Sequence, residues 1–84
     1  MRPSSLIAAT RAGDADAYAE LYRRHVEPCR RLARRLCGGS PSAADDVVSE
    51  VFANTLRAIR AGRGPVDGFA PYVLRAVRHQ VGRT

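Results

Sequence analysis

With 84 residues the chain has room for one small hydrophobic core and not for two, because a domain of this size buries only about 60 to 65% of its unfolded surface. The formal net charge is +6, and all fourteen Lys-plus-Arg residues are arginine, whose fork suits phosphates and base edges, although an arginine-biased codon usage would favour the same choice. No run of about 18 apolar residues occurs and the first residues lack a cleavage-type leader, so a membrane span is excluded and the chain reads as soluble and cytoplasmic, with no membrane partner.

Glycine and proline punctuate the sequence into four helical candidates, with breaks at Gly13, at Gly38-Gly39-Ser40-Pro41 and at Gly62-Arg63-Gly64-Pro65. Strand-type alternation of β-branched residues is missing. The first candidate, residues 4–12, is short and offers Leu6, Ile7 and Ala9 or Thr10 to a neighbour. A helix under about 12 residues needs such tertiary support.

The second candidate, residues 14–37, is capped by Asp14 or Asp16 and repeats Tyr18, Leu21, Tyr22, Val26, Cys29, Leu32, Ala33 and Leu36 at three- and four-residue steps, which predicts a buried stripe. Its other faces carry Arg23, Arg24, Arg30, Arg31, Arg34 and Arg35, a belt that keeps the domain wetted or approaches DNA. Gly38 is placed to end the helix in a left-handed conformation. Pro28 removes a backbone donor, so a kink near Arg24 or two helices in line are expected.

The third candidate, residues 41–61, starts either with Ser42 and Asp45 as a capping box or with Ser40 followed by Pro41 at the first helical position. Both starts place Asp45 and Asp46 near the positive end of the helix dipole, for about 0.3 to 1 kcal/mol each. The inward set is Ala44, Val47, Val48, Val51, Phe52, Thr55, Leu56 and Ile59. From Asp45 to Leu56 the charges are Asp45, Asp46 and Glu50 with no cation, and beyond Leu56 every charge except Asp67 is an arginine. That polarity points to two charged partners of opposite sign. The fourth candidate begins near Asp67, spans about 68–82 and turns Phe69, Tyr72, Val73, Ala76, Val77 and Val81 inward. The expected architecture is all-α, a compact bundle of three main helices plus a short N-terminal helix.

No enzyme constellation is present. No nucleophile stands beside a positioned base, and Gly62-Arg63-Gly64-Pro65 lacks the GxxxxGK[ST] pattern of a phosphate loop. Cys29 and Cys37, eight apart in one helix, are separated by roughly 12 Å, too far for a disulfide. With His25 one turn before Cys29 a metal pair is conceivable, but the spacing favours reduced core cysteines, and no cofactor is implied.

Three ordered blocks, LIAATRAGDADAYAELYRRHVEPCRRLARRLCG, AADDVVSEVFANTLRAIR and GFAPYVLRAVRHQ, resemble region 2, the promoter-melting domain, of extracytoplasmic-function sigma factors within the sigma-70 family. The resemblance spans about Leu6 to Gln80 and implies a non-catalytic transcription initiation factor. In that family the helix bearing a DDLVQEVF-like run docks on the clamp helices of the largest RNA polymerase subunit. Here the run is DDVVSEVF, which implies polymerase binding by Asp45, Asp46 and Glu50, with Val48, Val51 and Phe52 partly on that face and partly in the core.

The following loop and helix read the non-template strand of the promoter −10 element, here residues 61–68 and the helix from Phe69. The resemblance implies DNA contacts at Arg57, Arg60, Arg63, Phe69, Tyr72, Arg75, Arg78 and His79. Tyr72 stands where the family commonly has tryptophan, and its spacing also fits the buried stripe. Arg83 is a further phosphate candidate. Pro71 is compatible with a helix only near its start. Family members usually add a second domain for the −35 element, so the sequence corresponds to the melting half of a longer protein or to a short protein served by another subunit. An anti-sigma partner covering the polymerase face is a further expectation. Two rivals stand beside this reading. One is a protein-interaction module of the same fold without DNA binding. The other is a duplex binder, for which the gap from Ala61 to Gly68 is too long to be a helix-turn-helix turn.

Overall fold

Asp14, the last residue of the short link between the first two helices, bonds to both of them. Its amide donates to the carbonyl of Ala9 at 3.0 Å, closing the first helix, while its Oδ1 accepts from the amides of Asp16 at 3.0 Å and Ala17 at 3.2 Å, opening the second. Of the two aspartates able to cap, Asp14 therefore does so, and Asp16 falls in the first turn, where the dipole favours a carboxylate. The computed structural model describes residues 3–83, and Met1, Arg2 and Thr84 of the expected single domain lie outside them. The order is α1 (Pro3–Arg11), α2 (Ala15–Leu36), α3 (Pro41–Arg60) and α4 (Phe69–Arg83), an all-α bundle with no strand among the described residues.

α2 runs unbroken through Pro28, so the expected division into two helices in line does not occur. Pro28 is exposed, which leaves the unpaired carbonyl one turn earlier on the wetted side of the helix. Its inward stripe is Ala17, Leu21, Val26, Cys29, Leu32 and Ala33. Two aromatic members of the expected stripe sit at its margin, with Tyr18 half-buried and Tyr22 at the surface, and Leu36 in the last turn is exposed. The helix ends as expected of a glycine terminus: Gly38 has φ +66° and the amide of Gly39 donates to the carbonyl of Arg34 at 2.8 Å.

α3 lies antiparallel to α2: Cys37, just past the end of α2, borders Ala43 and Val47 near the start of α3, while Tyr22 further back meets Phe52 further on, with ring centroids 5.0 Å apart and nearly perpendicular planes. α4 returns antiparallel to α3 and parallel to α2, while α1 packs across α2 and α3. Phe69, 2% exposed at the start of α4, occupies the junction of the three long helices. Its ring lies 6.2 Å from Tyr18, 6.2 Å from Phe52 and 5.1 Å from His25. A ring so enclosed contributes about 3 to 5 kcal/mol against alanine. Thr10 and Thr55, both buried, satisfy their hydroxyls by donating to the carbonyls of Leu6 at 2.8 Å and Val51 at 2.7 Å. No helix of the described residues is long and apolar enough to cross a membrane.

Candidate functional site

α3 begins at Ser40, whose Oγ accepts from the amide of Ala43 at 3.3 Å, with Pro41 in the first turn. This is the second of the two starts the sequence allows, and it moves the acids inward along the helix. No carboxylate remains in the first turn, so the expected dipole stabilisation of Asp45 and Asp46 is largely lost, because that field fades within one turn.

The three acids are all exposed and none forms a salt bridge, since the ion pairs of the described residues lie within α2, between Glu20 and Arg23 and Arg24 and between Glu27 and Arg30. Asp46 and Glu50, one turn apart, share a shallow cleft with Cys37 and Gln80. Asp45 lies about 100° round the helix from Asp46, on the α2 side. There its charge reaches Arg30, whose guanidinium is held above its ordinary range first by the hydrogen bond to Glu27 and to a lesser degree by Asp45. The acidic patch is thus a pair with an outlying member.

Val48, Val51 and Phe52 are 3%, 2% and 4% exposed. The expectation that they lie partly on a docking face is corrected: all three are core, because α2 and α4 cover that side of α3. They orient the acids and offer no surface of their own. The carbonyl of Phe52 also accepts a 2.5 Å hydrogen bond from the Tyr18 hydroxyl.

The outward side of α3 changes sign along its length, from Asp46 and Glu50 to Arg57 and Arg60, which are exposed near its end. Arg57 is steadied by a hydrogen bond to Asn54 Oδ1. Helix α3 stops at Ala61, with the amide of Gly62 donating to Ile59 at 3.1 Å and that of Arg63 to Ala58 at 2.8 Å. Gly62, at φ +81°, is the left-handed residue this terminus requires. Gly64 is needed twice over, having φ +79° and leaving only 3.3 Å between a notional Cβ and the Cβ of Ala58. The loop therefore folds back over the last turn of α3, buries Pro65 and displays Val66, which is 72% exposed.

α4 takes its first hydrogen bond from the amide of Tyr72 to the carbonyl of Gly68 at 3.3 Å. Pro71 then falls in the first turn, where its missing N–H costs nothing. Phe69, Val73 and Val77 turn inward. Tyr72 does not: at 37% exposure it stands with Pro65, Asp67, Arg75 and His79 around a cleft of about 540 Å³ at the loop–helix junction. A narrower groove continues between α3 and α4 past Asn54, His79 and Arg83 to Gln80, the residue that also borders Asp46 and Glu50. One side of the molecule thus carries a row of three clefts, neighbours through shared wall residues, from the loop to the acidic pair.

Of the residues expected to contact DNA, Tyr72, Arg75 and His79 are brought together in the cleft. Arg57, Arg60 and Arg63 are exposed on the adjoining end of α3 and the loop, and Phe69 is core rather than surface. Arg78 faces the opposite groove, with Arg31 and Arg35 of α2, and is separated from the cleft by the body of α4. Cys29 is buried and its thiol is pushed up to about 11 by that burial, whereas Cys37 is only half-buried beside Asp46 and Glu50. His25 is held below its ordinary range by burial and by Arg24, and the described residues bring no three His, Cys, Asp or Glu together as a metal set. The sequence places Val66 and Asp67 in the 61–68 loop without giving either an individual role, and it gives Gln80 none. Val66 had a visible signal, as the sole large apolar residue in a loop otherwise of glycine, proline and charge.

These features define a small all-α domain with a cleft bordered by aromatic and basic side chains, and the comparison with known families is specific: Sigma-70 region 2 matches residues 21–83. The chain belongs to that family, a domain of transcription-initiation factors that works with core RNA polymerase and promoter DNA and is non-catalytic. No curated protein and no solved structure matches it significantly.

Proposed function

We propose that this domain, of the extracytoplasmic-function type, binds RNA polymerase through the acidic outward side of α3 and captures the unpaired non-template strand of a promoter −10 element in the cleft between the loop and α4. The observation that carries this is the row of clefts, which sets an acidic pair suited to a cationic protein helix at one end and an aromatic–cationic cleft at the other. Asp46 and Glu50 meet the clamp helices of the largest subunit, with Asp45 at the rim. An anti-sigma protein would compete for the same face.

At the other end, a base swung out of the stack lies against Tyr72, a contact worth about 1 to 3 kcal/mol and tolerant of sequence. Arg75 and His79 border its phosphates, and Arg57, Arg60, Arg63 and Arg83 extend the cationic path. Holding single strand more tightly than duplex lowers the free energy of strand separation, and no bond is made or broken. Phe69 supports the cleft from below, and Arg78 stands apart from the strand's path.

The direct test compares binding of a fluorescent single-stranded −10-like oligonucleotide and its duplex, with and without core polymerase. Preference for the single strand, strengthened by polymerase, is expected. Equal or absent binding in both conditions would leave a protein-interaction module as the better account.

A further inference from the structure

Arg11, at the end of α1, reaches three main-chain carbonyls at once. Its Nε donates to Ile59 at 3.2 Å, and its Nη2 donates to Arg63 at 2.7 Å and to Pro65 at 3.4 Å. Ile59 belongs to the last turn of α3, and the other two acceptors flank Gly64 in the loop. One planar cation therefore ties the end of a helix to both arms of the bend that follows it. The site suits a cation, because the closing carbonyls of a helix carry its negative end. It suits arginine in particular, because a rigid fork holds donors in several fixed directions while an ammonium is a single point.

The loop has few other anchors. Its first two amides close α3, and its turn at Gly64 presses on Ala58 and Ile59. From there the chain reaches Pro65 and Asp67, which form one wall of the cleft completed by Tyr72, Arg75 and His79. The position of that wall depends on how residues 63–65 are held, and Arg11 holds two of them. α1 also lies outside the segment that matches Sigma-70 region 2, so the family match assigns it no role.

We propose that Arg11 is a positioning residue for the nucleotide cleft: it holds the loop in the shape that receives an unpaired base, without touching DNA itself. This rests on the strand-capture function proposed above, and it adds α1 to the machinery. A cleft whose wall is ordered in advance spares the bound strand the cost of ordering it.

The test uses Arg11→Met and Arg11→Lys in the 84-residue chain, with two readouts. The first is amide hydrogen exchange at Gly62 and Arg63, referred to the core amides of Val51 and Val77. The second is the affinity of a mixed-sequence fluorescein-labelled single-stranded DNA across a salt series. In Arg11→Met, exchange at Gly62 and Arg63 accelerates about tenfold relative to Val51 and Val77, as expected of a local opening. Affinity falls about tenfold while its salt slope stays that of the wild type, because no phosphate contact is removed. Arg11→Lys, which keeps the charge and loses the fork, falls between.

Unchanged loop exchange overturns the proposal, and so does a salt slope smaller by about one unit, which would make Arg11 a phosphate contact. Should Arg11→Met fail to fold, the same two readouts on Arg11→Lys decide. A wild-type chain that binds no strand overturns the capture function instead, and the exchange comparison still decides whether Arg11 holds the loop.

Discussion

The hydroxyl of Tyr18 donates a 2.5 Å hydrogen bond to the carbonyl of Phe52, so a side chain near the start of α2 grips the backbone of α3 at mid-length. The phenol is pushed well above its ordinary range, first by burial and then by the nearness of Tyr72. Tyr18→Phe keeps the ring beside Phe69 and removes only the hydroxyl, so unfolding should require about 0.5 to 1.5 kcal/mol less. For a domain of this size that is a fall of roughly 4 to 8 °C in Tm per kcal/mol, measurable by circular dichroism.

Burial of that phenol sets an alkaline limit. A group whose folded pKa lies above its unfolded value contributes stability that is fully present below about pH 10, the ordinary tyrosine range, and is lost as pH rises beyond it. Wild-type stability should therefore drop through that window, and Tyr18→Phe should flatten the drop. Parallel curves for the two proteins would assign the loss to other groups.

On the acidic face, Asp46→Arg combined with Glu50→Arg should weaken capture of a polymerase fragment carrying the clamp helices by at least about tenfold, with an unchanged circular dichroism spectrum. Asp45→Arg should cost less, because it stands on the α2 side near Arg30. Retention of the fragment by the double variant would refute the placement.

Along the strand path, Arg75→Ala should reduce the salt slope of single-strand binding by about one unit. Arg78→Ala should leave that slope as it is, since Arg78 shares the opposite groove with Arg31 and Arg35. Equal effects of the two substitutions would mean that the strand wraps α4.

Thiol chemistry separates the two cysteines. A colorimetric disulfide reagent should react with half-exposed Cys37 at neutral pH and spare Cys29, which is buried and whose thiol is pushed up to about 11. A bulky adduct on Cys37 should reduce polymerase capture, because it projects into the cleft of Asp46 and Glu50. Rapid modification of both cysteines would show that α2 opens near Cys29.

Much of the molecule was legible from local pattern. The 3.6-residue period separates Phe69, Val73 and Val77 from Arg75 and His79, and the same period already places Asp45 off the side shared by Asp46 and Glu50. Helix ends were legible where one residue has a sterically required role, as at Gly38. Other features depend on how the helices stack and escape a one-dimensional reading. Tyr72 fits the inward spacing, yet it surfaces because the loop, rather than a helix, flanks that side of α4. Val48, Val51 and Phe52 look able to serve two faces until α2 and α4 are seen to cover both. The grip of Arg11 on Pro65 spans 54 residues and has no local signal at all.

The double duty of Asp14 has a dynamic consequence. Its amide closes α1 and its carboxylate opens α2, so the two helices cannot fray independently: loosening the seam releases donors and acceptors of both. The junction of α1 and α2 should then open and close as one cooperative unit, and the short first helix shares the lifetime of the long helix it abuts.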